Sequence, residues 1–282
     1  MGDQRRSVPP GRGGFAPVGG LVELRSALVH PGASDALVRA FGDPPPVVVV
    51  FADLVGFTAL SEAQGDGAAV RLLDEFFAAM RELAERFGMT EVKTLGDGFL
   101  LTAKDPVSAL GFAAAALRET SARDGWLDLR LGLHAGPVVE RDGDVFGRTV
   151  NVAARVAAAA EAGEALISMD VLAGARAPQG TLLKRVGRRR LRDVSAPVEL
   201  FSLSPRVSVA TVTDPVCRRK LRPAGAPAVT VGRRTFYFCS EECRGAFERS
   251  PRRYAPRTCM FAARAKKRWR PLRGMTGETG RA

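Results

Sequence analysis

VVVVFADLVGFT, residues Val47 to Thr58, is the stretch on which the fold turns. Four β-branched residues in succession, continued by Phe51 and Ala52, read as a buried strand. The strand ends on Asp53, and Gly56 marks the turn that follows it. Prolines 44 to 46 fix where the strand begins. Upstream, Leu21 to His30 and Ser34 to Phe41 each suit a short helix, separated by Pro31 and Gly32.

Working downstream, Val70, Leu73, Phe77, Met80, Leu83 and Phe87 recur at helical spacing and predict a long amphipathic helix from Gly67 to Phe87. Thr90 to Leu95 and Gly98 to Thr102 flank Gly96 and Asp97, the pattern of two strands joined by a tight turn with an acid at its tip. Asp105 and Pro106 supply the cap and first-turn residue of a helix running to Arg123. Leu129 to His134 reads as a strand, followed by a further strand, a helix around Val150 to Ala162, and strands near Ala165 to Ser168 and Val198 to Leu203. Strand, helix, hairpin, helix, strand is the order of a split βαβ, ferredoxin-like core, so the predicted class is α+β, an α/β sandwich.

The chain has 282 residues, more than one compact domain usually needs, which favours a large domain plus a small one. Its hydrophobic share of 46% and charged share of 26% are those of a globular protein. The net charge of +12 is unevenly spread: Arg206 to Ala282 holds 19 Lys or Arg against 5 Asp or Glu, leaving the remainder near neutral. All four cysteines, Cys217, Cys239, Cys243 and Cys259, lie in that same basic segment, a clustering that favours metal ligation over disulfides. Residues 1–20 mix Gly, Pro and Arg without the apolar stretch of a signal peptide, and no run approaches the roughly 20 apolar residues that cross a bilayer. The expectation is a soluble, cytoplasmic protein without membrane insertion, divided into a flexible leader (1–45), a large domain (46–205), a cysteine module (212–256) and a basic tail (257–282).

Two acids carry the chemistry of the large domain. Asp53 closes a strand and Asp97 tips a hairpin; a fold that joins them sets two carboxylates side by side, a repulsive pair until a dication neutralises it. The turn Leu54 to Thr58 leaves free backbone N–H groups at the start of the following helix, where a triphosphate can rest.

Four strings, FADLVGFT from Phe51, VKTLGDGFL from Val92, LGLHAGP from Leu131 and GDVFGRTVNVAAR from Gly143, together resemble in order and spacing the catalytic domain of class III adenylate and guanylate cyclases. The likeness runs from about Pro46 to Leu203. It implies that Asp53 and Asp97, aided by the backbone carbonyl of Leu54, hold two Mg²⁺ or Mn²⁺ ions, and that Gly56, Phe57 and Thr58 receive the phosphates of ATP. Lys93 and Asp144 stand where this family reads the base. An ammonium donates to adenine N1 and a carboxylate accepts from the 6-amino group, whereas guanine leaves each group facing a like partner at about 1 to 3 kcal/mol apiece. Guanylate cyclases of the family typically carry Glu at the Lys93 position.

Asn151 and Arg155, four apart on one helix face, occupy the family's positions for orienting the ribose and stabilising the charge that grows on the phosphate. His134, inside a strand, reads as structural. The family's triphosphate-holding lysine has no counterpart in Gly187 to Asp193, and Arg192 is the candidate substitute. Metal ligands and base readers lie on opposite subunits in this family, so the resemblance implies a homodimer with two composite sites. The implied activity is conversion of ATP to 3′,5′-cyclic AMP and pyrophosphate; the competing readings are a non-catalytic nucleotide or metal sensor and a guanylate cyclase.

The segment from Asp214 to Tyr254, with DPVC ending at Cys217, YFCS around Cys239, and then Cys243, resembles a YHS domain of the heavy-metal-associated TRASH type. The three thiols suit a soft ion, Zn²⁺ or Cu⁺, with Cys259, water or nothing in fourth place. The basic run Arg264 to Arg273, with Lys266, Lys267 and Trp269, reads as a solvated tail before it reads as a contact for nucleic acid or acidic lipid.

Overall fold

In the computed structural model of the protein, residues 46–206 and 210–255 are described. The short helices expected before residue 45, the fourth cysteine Cys259 and the basic run at 264–273 lie outside them. The predicted strand is present as β1 (Val47–Val55), and it is buried on both faces. Helices α1 (Phe57–Gln64) and α2 (Asp66–Arg86) carry the chain to the hairpin β2 (Thr90–Leu95) and β3 (Gly98–Ala103). Helix α3 (Pro106–Ala122) starts at Asp105, whose carboxylate accepts from Ser108 N at 2.9 Å. Then follow β4 (Asp128–Gly136), the small hairpin β5 (Val139–Arg141) and β6 (Asp144–Phe146), α4 (Arg148–Ala159), β7 (Glu164–Ser168), the short α5 (Met169–Leu172), β8 (Thr181–Arg189) and β9 (Val198–Pro205).

The seven-stranded sheet has the order β2-β3-β1-β4-β7-β9-β8. Its first four strands are antiparallel neighbours, the split βαβ arrangement expected, and β7 extends it parallel to β4. One face meets α2 and α3: Val48, Val50, Ala52 and Leu54 of β1 pack with Leu129, Leu131 and Leu133 of β4 and with Phe76 and Phe112. The other face meets α4, with Val49, Leu100 and Ala153 in a second cluster. Helix α4 lies directly on β4, because a Cβ at Gly132 would stand 2.1 Å from the backbone nitrogen of Ala157.

Three details depart from the sequence reading. Helix α2 turns a stripe of Ala69, Leu72, Phe76, Met80 and Leu83 to the core, and Val70 is 53% exposed. The doubled apolar pairs Leu72–Leu73 and Phe76–Phe77 make two adjacent stripes look alike in sequence, and only packing against β3 selects between them. Helix α4 ends at Ala159 rather than near Ala162. Strand β8 carries no strand signal in the sequence, since Lys184, Arg185, Arg188 and Arg189 break any apolar alternation; it is an edge strand, where charged side chains are the usual protection.

The cysteine segment contains β10 (Val212–Thr213), β11 (Lys220–Leu221), the hairpin β12 (Ala228–Val231) and β13 (Arg234–Tyr237), then α6 (Glu241–Arg249) and α7 (Pro251–Tyr254). Its buried residues Val216, Cys217, Val229, Phe238, Cys243 and Phe247 belong to the same cluster as the main sheet and α2. Lys220 is the fastener. Its side chain is buried, its Nζ donates to Thr120 O and pairs with Asp128 at 3.2 Å, and its backbone exchanges hydrogen bonds with Gly125 and Trp126 at 2.8 Å. A segment too small to bury a core alone thus borrows one from the large domain. Among the described residues no helix is long and apolar enough to cross a membrane.

Gly132→Ala should lower unfolding stability by about 3 kcal/mol in urea titrations, because β4 and α4 touch backbone to backbone there; a change within experimental error would contradict this packing.

Candidate active site

Asp53 lies between two neighbours fixed by strand register, Gly98 on β3 and Arg130 on β4. The hairpin tip can close on β1 because residue 98 lacks a side chain: a Cβ there would sit 2.6 Å from Ala52 O and 3.4 Å from Asp53 Oδ1. Gly96 provides the left-handed turn, with φ 64°, and Asp97 between the two glycines is delivered beside Asp53. Burial, and then the charge of Asp53, push the Asp97 carboxyl above its ordinary range, while Arg130 acts the other way. Arg130 binds Asp53 through Nε at 2.7 Å and through its terminal nitrogen. Asp53 is thus paired with a guanidinium whose charge also reaches the half-buried Asp97, and the all-oxygen donor set of the two acids fits a hard divalent cation.

A second pair forms at the β2 edge. Lys93 Nζ lies 2.5 Å from Asp144 Oδ2, and Asp144 Oδ1 accepts from Val145 N at 2.8 Å. The bond from Lys93, then that from Val145, hold the Asp144 carboxyl below its usual range. A donor and an acceptor therefore stand together.

The third group sits on α4 and the β8–β9 loop. Asn151 is exposed on α4, and Arg155 donates to Asp193 at 3.0 Å. Arg192 reaches the same carboxylate at 3.4 Å and is 85% exposed, so Asp193 gathers the two arginines. Among the described residues, no hydrogen bond or ion pair joins these three groups to one another. At the fourth location, Gly56 takes φ 94° and opens α1, with Phe57 packed on the core and Thr58 exposed. His134 is mostly buried, bonded to Ser168 Oγ at 2.8 Å, and its pKa is lowered, first by burial.

Cys217, Cys239 and Cys243 also converge, with sulfurs 3.5 Å apart for the first two and 3.8 Å for the last two. A tetrahedral site with bonds of about 2.3 Å needs sulfurs about 3.8 Å apart, so the three thiols fit a soft ion. Cys243 lies in the first turn of α6, where its amide donates to Ser240 Oγ at 3.3 Å. Hydrogen bonds from Cys217 and Cys239 hold the Cys243 thiol far below its usual range, and the bond with Cys239 raises that of Cys217. Asp214, fully buried, organises the set by accepting from Val216 N at 2.7 Å and from Cys239 N at 2.8 Å, tying both cysteine loops together.

The adenylate and guanylate cyclase catalytic domain family matches residues 43–203. The chain belongs to this family. Among curated relatives, it is 35% identical over 176 residues to a pH-sensitive adenylate cyclase of Mycobacterium tuberculosis, covering 60% of this chain and 44% of that protein. It is 39% identical over 147 residues to an adenylate cyclase of Streptomyces coelicolor, covering 48% of this chain and 38% of that one. The chain thus spans less than half the length of either. The crystal structure of the adenylyl cyclase CyaB from P. aeruginosa shares 25% identity, covers 58% of this chain and 97% of its own, and superposes with a TM-score of 0.51. The cyclase fold is therefore the frame in which the three groups stand.

Sequence reasoning passed over Arg130, Asp193 and Asp214. Arg130 was visible as a lone charge among Leu129, Leu131 and Leu133, hence on the opposite face of its strand. Asp214, three residues before Cys217, is a turn-forming position with a carboxylate that can cap the following amides. Asp193 gave no signal, since its role depends on a loop meeting α4.

Because Asp97 titrates above its ordinary range, stability from its protonated form exists at low pH and is lost as pH rises through the raised value. Asp97→Asn should therefore raise the Tm of metal-free protein by about 2 °C near neutral pH and remove any stabilisation by Mn²⁺, read by thermal unfolding with and without chelator. A lowered Tm would contradict the strained pair.

Proposed function

We propose that the protein is an adenylate cyclase that converts ATP to 3′,5′-cyclic AMP and pyrophosphate at sites shared between two copies of the chain. The observation that carries the choice of base is the Lys93–Asp144 pair, 2.5 Å apart on a cyclase frame. Opened by an adenine, Lys93 donates to N1 and Asp144 accepts from the 6-amino group; a guanine meets two mismatches. That both curated relatives above are named adenylate cyclases agrees with this reading.

Asp53 and Asp97, with the Leu54 carbonyl, would hold two Mg²⁺ or Mn²⁺ ions, which when bound supply charge neutralisation at the α-phosphate and acidify the ribose 3′-hydroxyl. The chain's residues do the positioning. Backbone N–H groups at Gly56, Phe57 and Thr58 receive phosphate oxygens at the start of α1. Asn151 orients the ribose, and Arg155 faces the negative charge that develops as the 3′-oxygen attacks in line and pyrophosphate departs. Arg192, held by the same Asp193 as Arg155, remains the candidate for the terminal phosphates.

A dimeric site is supported by the surface beside Lys93. Val139 and Phe146 are paired across the β5–β6 hairpin and are 42% and 48% exposed, and Leu95 at the hairpin tip is 44% exposed. Apolar side chains so close to the base-reading pair suit a covered face. The cysteine segment is proposed to be a YHS-type soft-metal site, with Cys217, Cys239 and Cys243 as ligands to Zn²⁺ or Cu⁺. A cytoplasmic location, where ATP is abundant, is part of this proposal. A non-catalytic sensor is the less favoured reading, since both acids and both base readers are intact.

Purified protein with Mn²⁺ should convert ATP to cyclic AMP, with conversion of GTP to cyclic GMP at least about tenfold poorer in kcat/KM, and Lys93→Ala should cost about a hundredfold on ATP. Absence of cyclic product from either nucleotide would refute the proposal.

A further inference from the structure

Helix α1 has the phosphate-facing turn at one end and the cysteine cluster at the other. At its C-terminal end, Gln64 Nε2 donates to Cys239 Sγ at 3.2 Å. At its N-terminal end, the side chain of Arg218 lies on Gly56: a Cβ at residue 56 would stand 2.7 Å from both Cβ and Cγ of Arg218. Along the intervening turns, Ala59, Glu62 and Ala63 line a cavity of about 310 Å³ with Pro215, Val216 and Tyr254. Leu60 on the other side is fully buried in the main core, so α1 is held between core and cysteine segment.

Arg218 directly follows Cys217. Its backbone takes φ 67°, a left-handed conformation rare outside glycine. That turn sends consecutive side chains to different places, Cys217 into the thiol cluster and Arg218 over the Gly56 turn. Arg218 is exposed, so its guanidinium is open to a phosphate oxygen arriving there. Arg155 is assigned to the reacting phosphate, which leaves exposed Arg192 for the terminal ones, and Arg218 adds positive charge at the loop itself.

We propose that Arg218 is a triphosphate-binding residue lent by the cysteine segment, and that Arg218 and Gln64 couple ion binding at the three thiols to nucleotide binding at the Gly56 turn. This rests on the nucleotide reading above. An ion bonded to Cys217 fixes the turn that aims Arg218. A thiolate at Cys239 is a stronger acceptor for the Gln64 amide than a thiol, and so pins the far end of α1. Both effects favour the arrangement that receives phosphate, so the coupling is positive, and linkage requires it to be reciprocal.

The test uses the full chain, Zn²⁺ and 3′-deoxy-ATP with Mg²⁺, a nucleotide that binds without reacting. Saturating Zn²⁺ should lower the nucleotide Kd about fivefold, and saturating nucleotide should lower the Zn²⁺ Kd, read by chelator competition, by the same factor. Arg218→Ala should weaken nucleotide binding and abolish the coupling, and Arg218→Lys should restore part of the affinity. Gln64→Ala should retain Zn²⁺ binding while reducing the coupling. A nucleotide Kd indifferent to Zn²⁺, failure to bind Zn²⁺, or full coupling in both alanine variants would overturn the coupling while leaving the cyclase reading in place. Absence of nucleotide binding with and without Zn²⁺ would overturn both.

Discussion

The repulsion between Asp53 and Asp97 is the constraint around which the large domain is arranged. Strand register puts Asp53 opposite Gly98, and the missing side chain at residue 98 lets the hairpin close until Asp97 lies within the field of the Asp53 carboxylate. Burial, and then the charge of Asp53, push the Asp97 carboxyl above its ordinary range, and Arg130 opposes that only in part. Such a pair persists because the sheet on either side over-determines it, with β1 buried on both faces. A divalent cation would remove the repulsion, which is why the same geometry that costs stability suits a nucleotide-metal site.

The cysteine segment obeys a different constraint. Roughly forty residues cannot bury enough apolar surface to fold independently, and this one shares Phe238, Phe247 and Cys217 with the main core while Lys220 anchors it to Thr120 and Asp128. Desolvation lowers the pKa of Lys220, and Asp128 opposes that shift, so the fastener is a buried pair whose partners depend on each other. The docking brings three thiols, a buried aspartate and an unusual arginine turn against the helix that opens at Gly56. Function at one place is therefore built on the same helix as the other.

Much of this was legible in the residues. The β-branched run before Asp53, the glycines around Asp97 and the Asp105 cap each state a local conformation strongly enough to survive tertiary context. The first four strands and their helices follow from them. Stripes on α2 were ambiguous because neighbouring apolar pairs offer two faces of similar hydrophobicity, and the edge strand β8 was hidden by its own charges. At the site, the acids and the Lys93–Asp144 pair were named from their motifs. Arg130, Asp193 and Asp214 were not, because each acts through a neighbour far away in sequence or through backbone amides that a loop must first present.

In the proposed function, Asp53 and Asp97 form one cation site. The most direct measurement is the anomalous scattering of Mn²⁺ in crystals of the full chain grown with the metal and a non-reactive ATP analogue. The expected result is a manganese peak bonded to oxygens of both carboxylates, with Arg130 displaced from Asp53. A peak bonded to neither acid, or an undisturbed Asp53–Arg130 pair at saturating manganese, would contradict it.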